Sequence, residues 1–288
     1  MTTILMKGKP VADAIKVELT ERIRTELRGI APTLVVVVPT GESESDYYLR
    51  SLSKTAAECG INLLQKVLPA EAATKDYQFV VSSSGMESSI HGILVLRPLP
   101  EQVDTDAVTA IIPAEKDVDG VTAGNMAALY LEKPRLVPAT AAAVMALLDY
   151  HSVPLKGVRA AVVGRSRTVG KPVALMLLSR HATVTICHSR TVDLAEVLQS
   201  CEVVVVAAGV LGFIKPGMIK PGAVVIDAGF NVLPDGNVMG DSDPAVAEVA
   251  SLYAAVPGGV GPLTVVCLLK NLVVAAAQQA KWQGSQLA

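Results

Sequence analysis

The sequence predicts an α/β protein of two domains built on parallel sheets, and three observations carry the prediction. Apolar runs of strand length alternate with amphipathic stretches of helix length, in one series before residues 138–152 and in another after them. The apolar residues are 51% of the chain and mostly Val, Ala, Leu and Ile, which suits strands covered on both faces. At 288 residues the chain can bury a core in each domain.

The elements follow in order. Ile15, Leu19, Ile23 and Leu27 recur at helical spacing, so residues 10–28 read as an amphipathic helix. TLVVVVP (33–39) reads as a buried strand, and 45–59 as a helix stopped by Gly60. INLLQKVL and IHGILVLR are two further strands with a helical stretch between them, which implies βαβ units. After PLPEQVDTDAVTAIIPAEKDVDG the pattern changes, and ATAAAVMALLDYHS (139–152) reads as a connecting helix. The second series runs RAAVVG strand, VGKPVALMLLSRHA helix, TVTICHS strand, TVDLAEVLQS helix, EVVVVAAG strand and AVVIDAG strand. The final segment, PLTVVCLLKNLVVAAAQQAKW, is apolar enough to be a helix packed on a large surface. The domains expected are 1–138 with 265–288, and 139–264.

Composition excludes several function classes. A net charge of −2 gives no basic footprint, so neither nucleic acid nor an anionic membrane is expected as a partner. The longest apolar run, Val203 to Ile214, is too short and glycine-broken to span a bilayer. MTTILMKGKP lacks the apolar core of a signal peptide, so a cytoplasmic location is expected. Cys59, Cys187, Cys201 and Cys267 are widely spaced with no CxxC pair, so neither a metal site nor a disulfide framework is indicated.

VVGRSRTVGKP (162–172) lies between a strand and a helix, with Gly164-x-Ser166-x-x-x-Gly170 as a loosened dinucleotide fingerprint. Such a turn lets backbone N–H groups and the helix N-terminus face a pyrophosphate; a tight turn with no ligand is the bland alternative. Pro172 fits the first helical turn. About 20 residues on, where an NAD site carries a carboxylate, the next strand ends in His188, Ser189, Arg190 and Thr191. Hydroxyls and a cation there, with Arg165 as a second positive group, favour NADP over NAD. Taken singly, His188 is equally a packed strand-end histidine and Arg190 a solvated one. PGGVGP (257–262) is either a plain turn or a place where a flat ring approaches the backbone closely.

The stretch SDYYLRSLSKTAAECGI (45–61) holds proton-handling groups, Tyr47, Tyr48 and Lys54, with Leu52 between them. Taken together with KDVDG (116–120), GRSRTVGKP, ATVTICHSRT, FIKPGMIKPGAVVIDAG and VPGGVGP, it resembles the 5,10-methylenetetrahydrofolate dehydrogenase/cyclohydrolase family over essentially the whole chain. The resemblance implies an N-terminal folate domain, a Rossmann NADP domain, a C-terminal helix returning to the first domain, an active cleft between the domains, and a homodimer. It implies two reactions: hydride transfer from methylenetetrahydrofolate to NADP, then hydrolysis of the methenyl product. In the family's folate site a Tyr and a Lys lie four residues apart on one helix, a Gln lies on the strand GILVQLPLP, and an Asp lies in DVDG.

Carried over residue by residue, Asp119 matches the DVDG aspartate and Tyr48 the tyrosine. Leu52 stands at the lysine position, with Lys54 at a second basic position two residues later. Leu96 stands at the glutamine position, followed by Arg97. The resemblance extends the folate site to Pro98, Leu99, Pro257, Gly258 and Gly259. It extends the cofactor site of Gly164, Arg165, Ser166, Gly170, His188, Ser189 and Arg190 to Val169, Ala208, Gly209 and Phe230. Hydride transfer rests mainly on positioning, whereas hydrolysis needs proton transfer that a leucine cannot supply. The expectation is an NADP-dependent dehydrogenase with weak or absent cyclohydrolase, a separate cyclohydrolase being a conceivable partner. The rivals are rescue by Lys54, a different pterin-like substrate, and a non-catalytic NADP-binding protein.

Overall fold

The computed structural model describes residues 2–40 and 43–286, with side chains outside 43–47 and 282–286. Tyr47, a candidate proton-handling group, therefore has its side chain outside the described residues. In chain order the elements are β1 (Ile4–Leu5), α1 (Gly8–Glu26), β2 (Thr33–Pro39), α2 (Ser43–Glu58), β3 (Asn62–Leu68), α3 (Thr74–Met86), β4 (Gly92–Val95), α4 (Thr105–Ala110), α5 (Ala123–Tyr130) and α6 (Ala139–Tyr150). There follow β5 (Arg159–Val163), α7 (Gly170–Ser179), β6 (Thr183–Cys187), α8 (Leu194–Gln199), β7 (Val203–Val206), β8 (Val224–Asp227), β9 (Asn231–Val232), β10 (Val238–Met239), β11 (Leu252–Ala254) and α9 (Gly261–Gln286).

Two compact units result, Ala14–Ala139 with Val265–Ala288, and Met1–Asp13 with Thr140–Thr264. In the first, β3, β2 and β4 form a parallel sheet with β2 in the middle. Leu34 to Val37 are completely buried, as befits a central parallel strand with both faces covered. Tyr77 and Val81 of α3 pack on Val35, Val37 and Ile93. Gly60, at φ +72°, ends α2 as its sequence position predicts, with Ile61 N–H reaching back to Ala56 O at 2.9 Å. By length and composition α9 could cross a bilayer, but two thirds of its apolar window (67%) is buried inside the fold, so its hydropathy is that of a core helix.

The second unit holds a six-stranded parallel sheet, in the order β1-β11-β8-β7-β5-β6. Val162, Val204, Val205 and Ile226 are completely buried in it. The chain leaves β5 for β6 on one side and then returns to β7 on the other, so strand order reverses between β5 and β7. That reversal is the topological switch point at which this architecture binds ligands. Residues 1–13 belong here because β1 extends the sheet beside β11, Met6 N–H bonding Tyr253 O at 2.8 Å. A two-residue strand has no period to read, which is why the sequence pattern groups it with the helix that follows. The sequence pattern likewise misses β9, β10 and β11, and leaves α4 and α5 as an unassigned stretch. The helix expected over TVDLAEVLQS shrinks to α8, because Thr191 is occupied in a turn: His188 N–H donates to Thr191 Oγ1 at 2.8 Å. All four cysteines are buried and free.

Candidate active site

In the first unit KDVDG is held as a framed turn. Ile93 N–H donates to Lys116 O at 2.7 Å, which lays residue 117 alongside β4. The Asp117 carboxylate is completely buried and accepts Gly120 N–H at 2.9 Å, Thr122 N–H at 2.7 Å and Asn125 Nδ2 at 2.9 Å. Asn271 of α9 donates to Val118 O at 2.8 Å and Val137 O at 2.7 Å. Gly120 sits at φ +71°, and a Cβ there would meet Val137 C at 2.4 Å, so no other residue fits. Buried Lys116 donates to Gly85 O and Glu87 O at the carboxyl end of α3, where a cation is favoured.

Asp117 is thus consumed by the frame, and Asp119 is the half-buried carboxylate that the frame presents. Crowding by protein raises its pKa to about 6; the nearby Arg97 guanidinium pulls it down, while Asp117 pushes it further up. Tyr48, half-buried on α2, is held well above the usual phenol range, first by burial and then by the Asp119 carboxylate and Cys267 of α9. Burial pushes the Cys267 thiol up to about 12. These couplings gather Tyr48, Asp119, Arg97 and Cys267 into one neighbourhood. Arg97, exposed just past β4, also donates to Thr109 Oγ1 at 3.2 Å.

Leu52 lies one helical turn from Tyr48 on the same face of α2 and is completely buried; Leu96 is 5% exposed. Lys54 is exposed. It lies two residues beyond Leu52, about 200° around the helix, so it does not share the face of Tyr48 and Leu52. Pro98 is exposed and Leu99 packs partly on the sheet's core.

The second unit holds the other candidate residues. Gly164 ends β5 at φ +129°, and a Cβ on it would meet Ala207 O at 2.0 Å; one on Gly170 would meet Gly164 O at 2.2 Å. Both glycines are therefore demanded by close backbone approach. Ser166 Oγ accepts Val169 N–H at 3.1 Å and Gly170 N–H at 3.2 Å, shaping the loop that enters α7. The result is a narrow strand-to-helix turn that leads into the N-terminus of α7, a geometry suited to a pyrophosphate. His188 is half-buried, and its Nδ1 accepts Arg190 N–H at 3.1 Å, which leaves Nε2 to carry the ring proton in the neutral form. Arg165, Ser189 and Arg190 are exposed. In this unit too, Pro257 and Gly258 are exposed and Gly259 is buried, with Gly258 O accepting Gly8 N–H at 2.8 Å.

Two residues that sequence reasoning passes over stand out here. Asp227 and Asp241 are completely buried. Asp241 Oδ2 accepts the N–H groups of Ala208 and Gly209 at 2.6 and 2.7 Å, and Oδ1 accepts Asn231 Nδ2 at 2.9 Å. Asp227 accepts from Gly229 N–H, Asp241 N–H, Ser242 N–H and Ser242 Oγ. The available signal was the strand pattern AVVID, which ends on Asp227; Asp241, in GDSD, follows no strand that the pattern reveals.

Known proteins match along the whole chain. Residues 6–119 match the tetrahydrofolate dehydrogenase/cyclohydrolase catalytic domain, and residues 138–280 match the NAD(P)-binding domain of the same family. The bifunctional protein FolD of Roseiflexus sp. (strain RS-1) is 46% identical over 97% of this chain and 98% of its own. FolD 1 of Paenarthrobacter aurescens is 42% identical over 98% and 96%. Among solved structures, the bifunctional FolD of Campylobacter jejuni superposes with a TM-score of 0.92 at 35% identity, covering 96% of this chain and 99% of that one. The Trypanosoma brucei enzyme, solved with NADP and an inhibitor, superposes with a TM-score of 0.91 at 35% identity, covering 97% and 99%. By its two matched domains and these relatives, the chain belongs to the tetrahydrofolate dehydrogenase/cyclohydrolase family.

Proposed function

We propose that this protein oxidises 5,10-methylenetetrahydrofolate to 5,10-methenyltetrahydrofolate with NADP, and that its cyclohydrolase activity is weak or absent. The observation that carries the second half is the pair of buried apolar side chains, Leu52 and Leu96, where the family's lysine and glutamine are expected. Bound NADP would accept the hydride. The chain's part is to hold and orient. Gly164, Gly170 and the start of α7 fit the pyrophosphate, and exposed Arg165, Ser189 and Arg190 supply cations and a hydroxyl for the 2′-phosphate.

In the folate unit, Asp119 accepts hydrogen bonds from the pterin's amino and ring N–H groups. Tyr48 stays a protonated phenol, able to donate a hydrogen bond but not to act as a base near neutral pH. The folate nitrogens stabilise the cation as hydride leaves, so positioning suffices for oxidation. Hydrolysis asks for more: a water must be activated and a proton moved. Leucine at 52 and 96 offers neither, and excludes water from the face of α2 that carries Tyr48. The placement of Lys54 on another face argues against its acting as a substitute.

The reading extends to a cytoplasmic enzyme, to a separate cyclohydrolase that consumes the methenyl product, and to a homodimer. Supporting the homodimer, edge strand β3 has Leu64 and Val67 exposed at 46% and 60%, an open apolar edge that a second copy would cover. A second reading, full bifunctionality, is favoured by the relatives described as bifunctional. Following both reactions on one purified sample separates the two. NADPH formation from methylenetetrahydrofolate without faster decay of added methenyltetrahydrofolate is the expected result; accelerated decay would establish the bifunctional reading.

A further inference from the structure

The adenosine and nicotinamide halves of a dinucleotide must lie on opposite sides of the switch point between β5 and β7. The residues suited to the 2′-phosphate, Ser189 and Arg190, follow β6 on one side. The nicotinamide half therefore runs the other way, over the carboxyl ends of β7 and β8. The backbone there is Ala207–Ala208–Gly209 after β7, and Gly209 has φ +69°.

What shapes that turn is a carboxylate from far along the chain. Asp241 takes both N–H groups, Ala208 and Gly209, on a single oxygen, and Asn231 holds its other oxygen. Asp241 is fixed in its turn by its own N–H, which donates to Asp227 Oδ1 at 3.1 Å. The fit leaves no slack: a Cβ on Gly229 would meet the Asp241 carboxyl carbon at 2.3 Å, and one on Gly240 would meet Asp227 Oδ2 at 2.1 Å. With those N–H groups engaged, Ala207 O lies against Gly164, so the turn after β7 and the phosphate loop are set as one surface. Every partner of the Asp241 carboxylate named here is a donor, so the carboxylate acts purely as an acceptor.

We propose that Asp241 is the positioning residue for the nicotinamide half of NADP, acting through the Ala208–Gly209 turn, with Asn231 orienting its carboxylate. The proposal rests on the NADP reading above. It predicts an effect confined to one half of the cofactor, which a residue needed only for stability would not produce.

The test is calorimetric titration with NADP and with adenosine 2′,5′-bisphosphate, which carries the 2′-phosphate but no nicotinamide. D241A should weaken NADP about tenfold or more, the equivalent of one charge-assisted hydrogen bond or more, and leave the bisphosphate within about twofold. N231D sets two carboxylates against each other and should weaken NADP in the same selective way. The exchange D241N/N231D should restore it, because the amide oxygen at 241 can still take both N–H groups while its NH₂ donates to the carboxylate at 231. This exchange decides the matter even where D241A does not fold. Equal weakening of both ligands, unchanged NADP binding in D241A or N231D, or failure of the exchange to rescue would overturn the proposal. A wild-type protein that binds neither ligand would instead bring down the NADP reading, and this inference with it.

Discussion

Restoring the two polar groups tests the central claim about catalysis. The perturbation is L52K, alone and combined with L96Q. Residue 52 is completely buried and one turn from Tyr48, so a lysine there enters the same desolvated neighbourhood as Tyr48 and Asp119. Giving up a fully buried leucine removes about 1.5–3 kcal/mol of apolar burial. At about 2–4 °C per kcal/mol for a chain of this size, L52K should melt about 3–12 °C lower. The neighbouring Asp119 carboxylate offers the ammonium a partner, and the glutamine of L96Q offers it an oxygen, so the double variant should recover part of that loss. A working acid–base group is worth about 10²–10⁴ in rate, and methenyltetrahydrofolate decay should rise by that order in L52K/L96Q. NADPH formation, which depends on positioning, should change by less than about tenfold. The assay follows loss of added methenyltetrahydrofolate against buffer, beside NADPH formation from methylenetetrahydrofolate. A folded double variant that still oxidises its substrate but hydrolyses no faster than the wild type would refute the argument that these two side chains withhold the second reaction.

Other consequences follow from the same geometry. Substrate binding through ionised Asp119 should weaken as pH falls through about 6, and R97L should move that midpoint upward, since the Arg97 charge holds it down; a KM profile for methylenetetrahydrofolate with an unmoved midpoint would sink the coupling. Because the folded pKa of Asp119 is raised above its ordinary value of 3.8, the folded state binds the proton more tightly, and stability from this group is lost as pH rises from that value through about 6. D119N should therefore melt higher than wild type at about pH 8 and lose that advantage by about pH 3, in paired thermal scans. The rate profile of hydride transfer should show no limb from Tyr48 near pH 10, because its ionisation is driven far upward; a limb that disappears in Y48F would contradict this. R190A should raise KM for NADP about tenfold and leave KM for NAD within about twofold, if the guanidinium reads the 2′-phosphate.

The fold was legible where the chain repeats a pattern and illegible where it does not. TLVVVVP announces a buried parallel strand because a central strand has no polar face to alternate, and β2 is buried along almost its whole length. The carboxyl-end elements β9 to β11, and β1 at the start, are two or three residues long. At that length hydrogen bonding to a neighbour, not side-chain period, decides the structure. α4 and α5 depend on side chains in the same way: Asp104 accepts Asp106 and Ala107 N–H to start α4, and the Asp117 frame fixes Thr122, from which α5 begins.

The candidate site shows the same division for a different reason. The residues proposed to face a ligand belong to contiguous motifs, so GRSRTVGKP and KDVDG could be read directly. Residues that hold those motifs in shape come from elsewhere in the chain: Asn271 reaches back to Val118 and Val137, and Asp241 reaches back to Ala208 and Gly209. Nothing local marks them, because a buried side chain whose hydrogen bonds are met by backbone and amide groups from distant segments needs no charged neighbour and no motif. The two aspartates of DVDG illustrate the point at a distance of two residues. One is buried and fully engaged as frame, the other is half-open with a pKa near 6, and their letters are the same. What separates the residues proposed to face a ligand from the frame residues is which hydrogen bonds are already taken. A substitution in the frame should therefore alter binding selectively, through geometry, while on the proposed reading leucine at 52 and 96 alters chemistry directly, through the polar groups it withholds.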